Sequence, residues 1–188
     1  MADITPAMIK ELRDKTGLGL KKCKEALVES EGNIDLAIES LRKSGMASAE
    51  KRMGRTTSQG SVFAFTSPDN KSGSIVELAC ETDFVAKTAE FKNLGLKLAT
   101  YSSAHCVNDA EALNNASIDG VPVSEIIKEH ISKLGENLNI KNVKSFQSSG
   151  RLYQYIHGEG ALLGVMLNLE GADDKADALG KDSGDAAG

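Results

Sequence analysis

Few residues of this sequence have the types and the spacing that catalysis or metal binding requires. The side chains with the widest chemistry are scattered at His105, His130 and His157 and at Cys23, Cys80 and Cys106. No histidine stands at metal-ligand spacing from another histidine or from a cysteine, and no HExxH motif is present. The cysteines are odd in number and lack CxxC spacing, which disfavours a zinc site or a disulfide framework. We predict no metal and no cofactor.

Cys80 and His157 form the one thiol–imidazole pair that could serve a cysteine hydrolase, because both lie near strand ends of one predicted domain. A buried, unreactive cysteine on a strand is far commoner. Gly158 and Gly160 show GxG spacing, but they precede a predicted strand rather than a helix and do not fit a phosphate-binding loop. We predict that the protein is not an enzyme and keep the cysteine hydrolase as an alternative.

The segment Glu81–Lys87 follows a predicted strand and precedes a predicted helix. Thr82 and Asp83 suit the start of a helix, where a side-chain oxygen accepts from free backbone N–H groups. Capping does not explain Phe84, which either packs into the core or projects from the surface as a knob. The spacing alone favours the core.

Residues 1–45 predict three short helices. Thr5 and Pro6 are typical of a helix start, and apolar residues then recur at helical spacing until Gly17. The same pattern repeats up to Gly32 and again up to Gly45. Helices this short are marginal alone, so we expect them to pack as one small domain. The polar and basic segment 46–60 could extend the third helix, but we predict a linker.

Residues 61–170 predict an α+β core domain. Strand-like alternation at 61–65 and 73–80 surrounds a turn, and apolar residues at helical spacing follow at 91–101 and 123–134. Strand patterns return at 138–146, 152–157 and 163–169. Strands at both ends with helices between them predict an antiparallel sheet with helices packed on one face. We leave 107–120 open and expect disorder at 171–188, where one large apolar residue is present.

The composition of the 188 residues narrows the class of partner. Hydrophobic residues make up 40%, enough for a real core, and no apolar run approaches the roughly 18 residues of a membrane span. A net charge of −5 with 4% aromatic residues disfavours direct nucleic-acid binding and acidic substrates. A protein partner or a small neutral ligand stays open. The amino terminus resembles neither a secretory signal nor a transit peptide, so we expect a cytoplasmic protein.

Five segments of the sequence resemble the elongation factor Ts family. They are LRDKTGLGLKKCKEAL at 12–27, GNIDLAIESLRKSG at 32–45, ETDFVAK at 81–87, LGENLNIK at 134–141 and YIHGEGALLGV at 155–165. The third contains the TDFVA signature of that family. The segments run in the order of the family and cover about residues 1–172.

The resemblance implies nucleotide exchange on elongation factor Tu, the GTPase that delivers aminoacyl-tRNA to the ribosome. It also implies a ubiquitin-associated (UBA-like) three-helix fold for residues 1–45, which would contact the G domain of the partner. The stretch from Thr82 to Val85 would dislodge Mg²⁺, with Asp83 and Phe84 nearest the metal and phosphates. Further partner contacts implied by the resemblance are Leu12, Leu20, Leu134 and His157.

The sequence departs from longer family members in two ways. Those members continue with a second core subdomain and a helical coiled-coil excursion, so we expect a short or C-terminally truncated form. The turn at His157 lacks the basic residue that often follows it in the family. The resemblance implies elongation factor Tu, GDP-bound and nucleotide-free, as the partner. Because the carboxy-terminal half of the longer members is missing, a module that docks on this partner without efficient exchange is the alternative function. A homodimer also stays open.

Overall fold

The structure, a computed structural model, describes residues 3–158 and 160–171. The helices are α1 (Pro6–Thr16), α2 (Leu20–Glu29), α3 (Ile34–Arg52), α4 (Asp83–Ala86), α5 (Ala89–His105), α6 (Ala110–Asn114) and α7 (Val123–Leu134). The strands are β1 (Gln59–Thr66), β2 (Ser72–Cys80), β3 (Ser117–Ile118), β4 (Val121–Pro122), β5 (Asn139–Gln147), β6 (Arg151–His157) and β7 (Leu163–Leu169). The tail that we expect to be disordered lies outside the described residues from position 172 onward.

Contacts divide the chain into two compact units. The first comprises Met1–Gly54 and Lys128–Gly135, and the second comprises Arg55–Ile127 and Glu136–Gly188. The first unit contains the three predicted amino-terminal helices. The Thr5 hydroxyl accepts a hydrogen bond from the Met8 amide at the start of α1, and Gly17 ends that helix in the left-handed conformation. The three helices share a core of buried residues: Leu12, Cys23, Ala26, Leu27, Ala37 and Leu41.

Helix α3 does not end at Gly45 as the sequence suggests but continues to Arg52, inside the segment 46–60. Gly45 is an interior helix residue whose missing side chain admits Ser132, because a Cβ there would lie 2.5 Å from the Ser132 hydroxyl. Ala49, one turn further on, is fully buried. The glycine therefore serves close packing rather than helix termination, and helix extension is the interpretation that the structure supports.

The second unit is built on a three-stranded antiparallel sheet in the order β1-β2-β5. Phe63 on β1 packs against the buried Phe91 of α5, with the ring centroids 5.9 Å apart. The Ser74 hydroxyl donates to the Ala99 carbonyl of the same helix over 2.6 Å. These contacts place α5 on one face of the sheet and confirm the predicted α+β arrangement.

Strands β6 and β7 form a separate hairpin instead of joining the main sheet. A Cβ at Gly164 on β7 would lie 2.6 Å from the Val62 side chain of β1. Because Val62 and Phe63 are adjacent on a strand, they face opposite sides of the sheet. The hairpin therefore covers the face opposite α5. The segment 107–120, for which the sequence predicts no element, contains α6 and β3, and β3 pairs with β4 directly after it.

We predict that Gly95→Ala destabilises the protein although alanine favours helices by about 1 kcal/mol. A Cβ at Gly95 would lie 2.2–2.5 Å from three carbons of the Phe63 ring, which is rigid and buried. Overpacking of this kind costs about 1–3 kcal/mol. With a clash at the upper end of that range, urea unfolding should show a net loss of about 2 kcal/mol.

Asn93→Ala on the exposed side of α5 provides the control and should change the free energy of unfolding by about 0.5 kcal/mol or less. A Gly95→Ala protein as stable as this control would show that the ring does not pack tightly on the helix.

Candidate protein-interaction site

The segment after β2 is a single helical turn held between two capping threonines. Thr82 is extended, and its hydroxyl accepts from the Val85 amide at 3.4 Å to start α4. The Thr88 hydroxyl accepts in the same way from the Phe91 amide to start α5. The sequence pattern of Thr followed by Asp at a helix start is thus confirmed, and the turn is short because α5 begins almost at once.

Phe84 projects into solvent from this turn, with 79% of its surface exposed. Its neighbours Val85 and Ala86 are buried, so the turn directs them inward and leaves Phe84 outside. The preference of the spacing for a core position was therefore wrong, and the surface-knob alternative is correct. An aromatic ring has roughly 150–250 Å² to bury, an area that a protein partner could cover.

Asp83 forms an ion pair with Lys87, whose Nζ lies 2.7 Å from its Oδ2. The hydrogen bond from Lys87 holds the pKa of Asp83 below its usual value, and the backbone amides at the start of α4 act in the same direction. The carboxylate is therefore charged at neutral pH and already engaged within its own turn. Sequence analysis did not single out Lys87, although its position four residues after Asp83 on a predicted helix was the signal.

Two residues more than 50 positions further along the chain form hydrogen bonds with the start of the turn. The Glu136 carboxylate accepts from the Thr82 hydroxyl at 2.6 Å, and the Asn137 amide donates to the Glu81 carboxylate at 2.7 Å. Sequence analysis noted the segment around them only for its resemblance to a family. Nothing in the local pattern indicates that it meets the turn, because the contact spans 54 positions.

Cys80 and His157 do not form a nucleophile–base pair. Cys80 is fully buried, and its thiol donates to the Thr82 carbonyl at 3.1 Å. Burial raises the pKa of the Cys80 thiol to about 11, and the nearby Glu136 carboxylate acts in the same direction. His157 is exposed, and its Nδ1 lies 2.9 Å from the Tyr155 hydroxyl. The Cys80 thiol donates its proton to a backbone carbonyl and not to a histidine, so the cysteine-hydrolase alternative is not supported.

The other predicted contact residues differ in accessibility. Leu20 is 54% exposed, His157 is exposed and Leu134 is half-buried at the end of α7. Leu12 is fully buried in the three-helix core. A side chain without exposed surface has nothing to offer a partner, so we correct the prediction and remove Leu12 from the direct contacts.

The described ranges contain no cluster of three or more histidine, cysteine or acidic residues that could hold a metal ion. Within the same ranges no helix is both long enough and apolar enough to cross a membrane.

The fold is an α+β domain that follows three amino-terminal helices, and the site is an exposed aromatic residue on an ordered turn. A family model described as Elongation factor TS matches residues 81–184. Elongation factor Ts of Hydrogenovibrio crunogenus is 42% identical over 91% of this chain, and that of Nitrosospira multiformis is 44% identical over 97%. The chain belongs to the elongation factor Ts family.

The chain is shorter than these relatives. It spans 58% of the Hydrogenovibrio protein and 60% of the Nitrosospira protein. It spans 72% of elongation factor Ts of Arthrospira platensis, to which it is 39% identical over 97% of its own length.

We predict that Cys80 reacts with iodoacetamide far more slowly than Cys106 at pH 8. Burial disfavours the thiolate, and a pKa of about 11 leaves about one Cys80 thiol in a thousand ionised at that pH. Cys106 is exposed and sets the fast rate. Peptide mass spectrometry after timed alkylation measures both rates.

In guanidinium chloride the two cysteines should react alike, which controls for intrinsic reactivity. Equal rates in the folded protein would contradict the burial of Cys80 beneath the turn.

Proposed function

We propose that this protein promotes release of GDP from elongation factor Tu by binding its nucleotide-free form most tightly. The exposed Phe84 on an ordered turn carries the proposal, together with membership of the elongation factor Ts family. The proposed action needs no catalytic group, because the protein changes an equilibrium between two states of its partner and forms no bond.

Thermodynamic linkage describes how such a protein acts. GDP is held by Mg²⁺ and by backbone N–H groups around its phosphates. A protein that binds better after GDP leaves must itself be weakened by GDP with the same coupling energy. Moving such a balance from 1:99 to 99:1 takes about 5.5 kcal/mol of differential affinity.

Phe84 alone does not supply that energy. Burying one ring yields at most about 4–6 kcal/mol at about 25 cal/mol per Å², and association and ordering costs consume much of it. A wider contact must support it, and the exposed Leu20 on α2 is the residue we assign to that role in the first unit. His157 and Leu134 complete the proposed contact set.

Asp83 has one of two roles in this proposal: it competes near the metal of the partner, or it fixes the turn that carries Phe84. The ion pair with Lys87 supports the second role, because the carboxylate is already engaged in the free protein. In this proposal Phe84 disturbs the Mg²⁺ and phosphate site of the partner, and Asp83 keeps the turn that carries Phe84 in place.

A second candidate function is docking on elongation factor Tu without efficient exchange. The chain spans 58% of one relative and 60% of another, and exchange by the part of the family sequence present here is the point that separates the two candidates. Release of a fluorescent GDP analogue from elongation factor Tu separates the two candidates. Acceleration at substoichiometric protein supports exchange, and binding without acceleration supports docking.

We predict that Phe84→Ala slows the catalysed release of GDP by about tenfold or more, since about 1.4 kcal/mol of lost interaction is a factor of ten. The ring contributes little to folding because it is mostly in solvent, so the thermal midpoint should stay near that of the wild type.

Leu96→Ala is the matched control, because Leu96 is an exposed apolar residue of the same unit outside the turn. It should leave GDP release unchanged. A Phe84→Ala protein with normal exchange would exclude the ring from the mechanism.

We also predict that Leu20→Ala raises the protein concentration needed for half-maximal GDP release severalfold while leaving the maximal rate nearly unchanged. The reason is that Leu20 adds contact area away from the turn that acts on the nucleotide site. A titration of exchange rate against protein concentration measures both quantities.

Val28→Ala is the control, since Val28 is also an exposed apolar residue of α2. A fall in the maximal rate without a change in half-saturation would contradict this division of roles.

A further inference from the structure

The Glu136 carboxylate is occupied by the backbone and hydroxyl immediately before Phe84. Its Oε2 accepts from the Glu81 amide at 3.1 Å and from the Thr82 amide at 3.0 Å. Its Oε1 accepts from the Thr82 hydroxyl at 2.6 Å. Hydrogen bonds to a charged acceptor are about twice as strong as neutral ones. Two consecutive residues, Glu81 and Thr82, thus donate three such hydrogen bonds to the one carboxylate of Glu136.

These side-chain hydrogen bonds follow directly after the last backbone pair of the sheet. The ladder between β2 and β5 ends at the pair Ala79 and Asn139, so it offers no partner to the amides of Glu81 and Thr82. Backbone donors in a partly buried segment need an acceptor. Glu136, which lies just before β5, supplies that acceptor from its side chain.

The interaction is reciprocal. The Glu81 carboxylate accepts from the Asn137 amide at 2.7 Å and lies 3.6 Å from the Arg55 guanidinium. The buried Asn137 side chain donates to the Arg55 carbonyl at 2.7 Å. Each strand end therefore contributes a carboxylate to the backbone of the other. We call these contacts of Glu81, Thr82, Glu136 and Asn137 the strand-end clasp.

The clasp also orients the cap of the turn. The Thr82 hydroxyl has one proton, and Glu136 accepts it, which leaves the lone pairs of the oxygen for the Val85 amide. Asp83 and Phe84 lie between those two fixed points.

We propose that Glu136 is a positioning residue that holds the turn bearing Phe84 in the conformation that presents its ring. The inference rests on the proposed function, because the positioned ring is the one that acts on elongation factor Tu. A turn that is ordered before binding does not lose that entropy on binding. Glu136 thus contributes to GDP release without touching the partner.

Hydrogen exchange tests the clasp directly. In Glu136→Ala, the Glu81 and Thr82 amides should exchange about tenfold faster or more by NMR, while amides within the β1–β2 ladder keep their protection. Glu136→Gln retains one acceptor oxygen and should show a smaller increase. Glu77→Ala is the matched control, because Glu77 accepts one hydrogen bond from Asn142 on the same sheet, outside the turn.

Exchange kinetics then test the role of the residue. Glu136→Ala should slow the release of GDP by about tenfold, with Glu136→Gln intermediate and Glu77→Ala normal. In a Phe84→Ala background, Glu136→Ala should have no further effect, because Glu136 acts through the ring. A purely structural role would instead lower the residual activity and the thermal midpoint in both backgrounds.

Different outcomes overturn the two proposals. Unchanged exchange of the Glu81 and Thr82 amides in Glu136→Ala, or an additional loss in the Phe84→Ala background, would overturn the positioning role. Wild-type protein that leaves GDP release unchanged would overturn the proposed function, and the amide exchange would still decide whether Glu136 holds the turn.

Discussion

Phe84 is held in solvent by hydrogen bonds to the backbone on either side of it rather than by packing of its own ring. Water alone would favour a collapsed position for an aromatic side chain, because exposure of apolar surface is unfavourable. The caps at Thr82 and Thr88 and the carboxylate of Glu136 fix the backbone, and the inward packing of Val85 leaves the ring only the outer side. The presentation of the ring depends on this constraint.

A protein that acts by differential binding divides its surface between two tasks. One contact must change when the nucleotide leaves the partner, and the rest must hold the complex regardless of the nucleotide. The turn with Phe84 suits the first task because it is small, exposed and ordered. The exposed Leu20 of α2 suits the second. In the proposed function, this division lets binding energy alone accelerate the release of GDP from elongation factor Tu.

Local sequence patterns were sufficient for most of the secondary structure. Apolar residues at helical spacing located α1, α2 and α7, and alternation located the strands β2 and β7. These patterns are readable because each depends on neighbours within a few positions. The capping role of Thr82 was equally local and equally predictable. The family followed from motifs, since five segments in one order resemble it.

The sequence by itself determined most of the elements, the α+β class and the family, because these depend on local periodicity and on motifs. The tertiary structure decided what depends on distant neighbours. Gly45 lies inside a helix because Ser132 packs against it, and Gly95 does so because the Phe63 ring lies there. Phe84 is outside because Val85 is inside. The contacts at Gly45 and Gly95 and the hydrogen bonds of Glu136 that fix the turn join residues many positions apart, so no short window of sequence contains both partners.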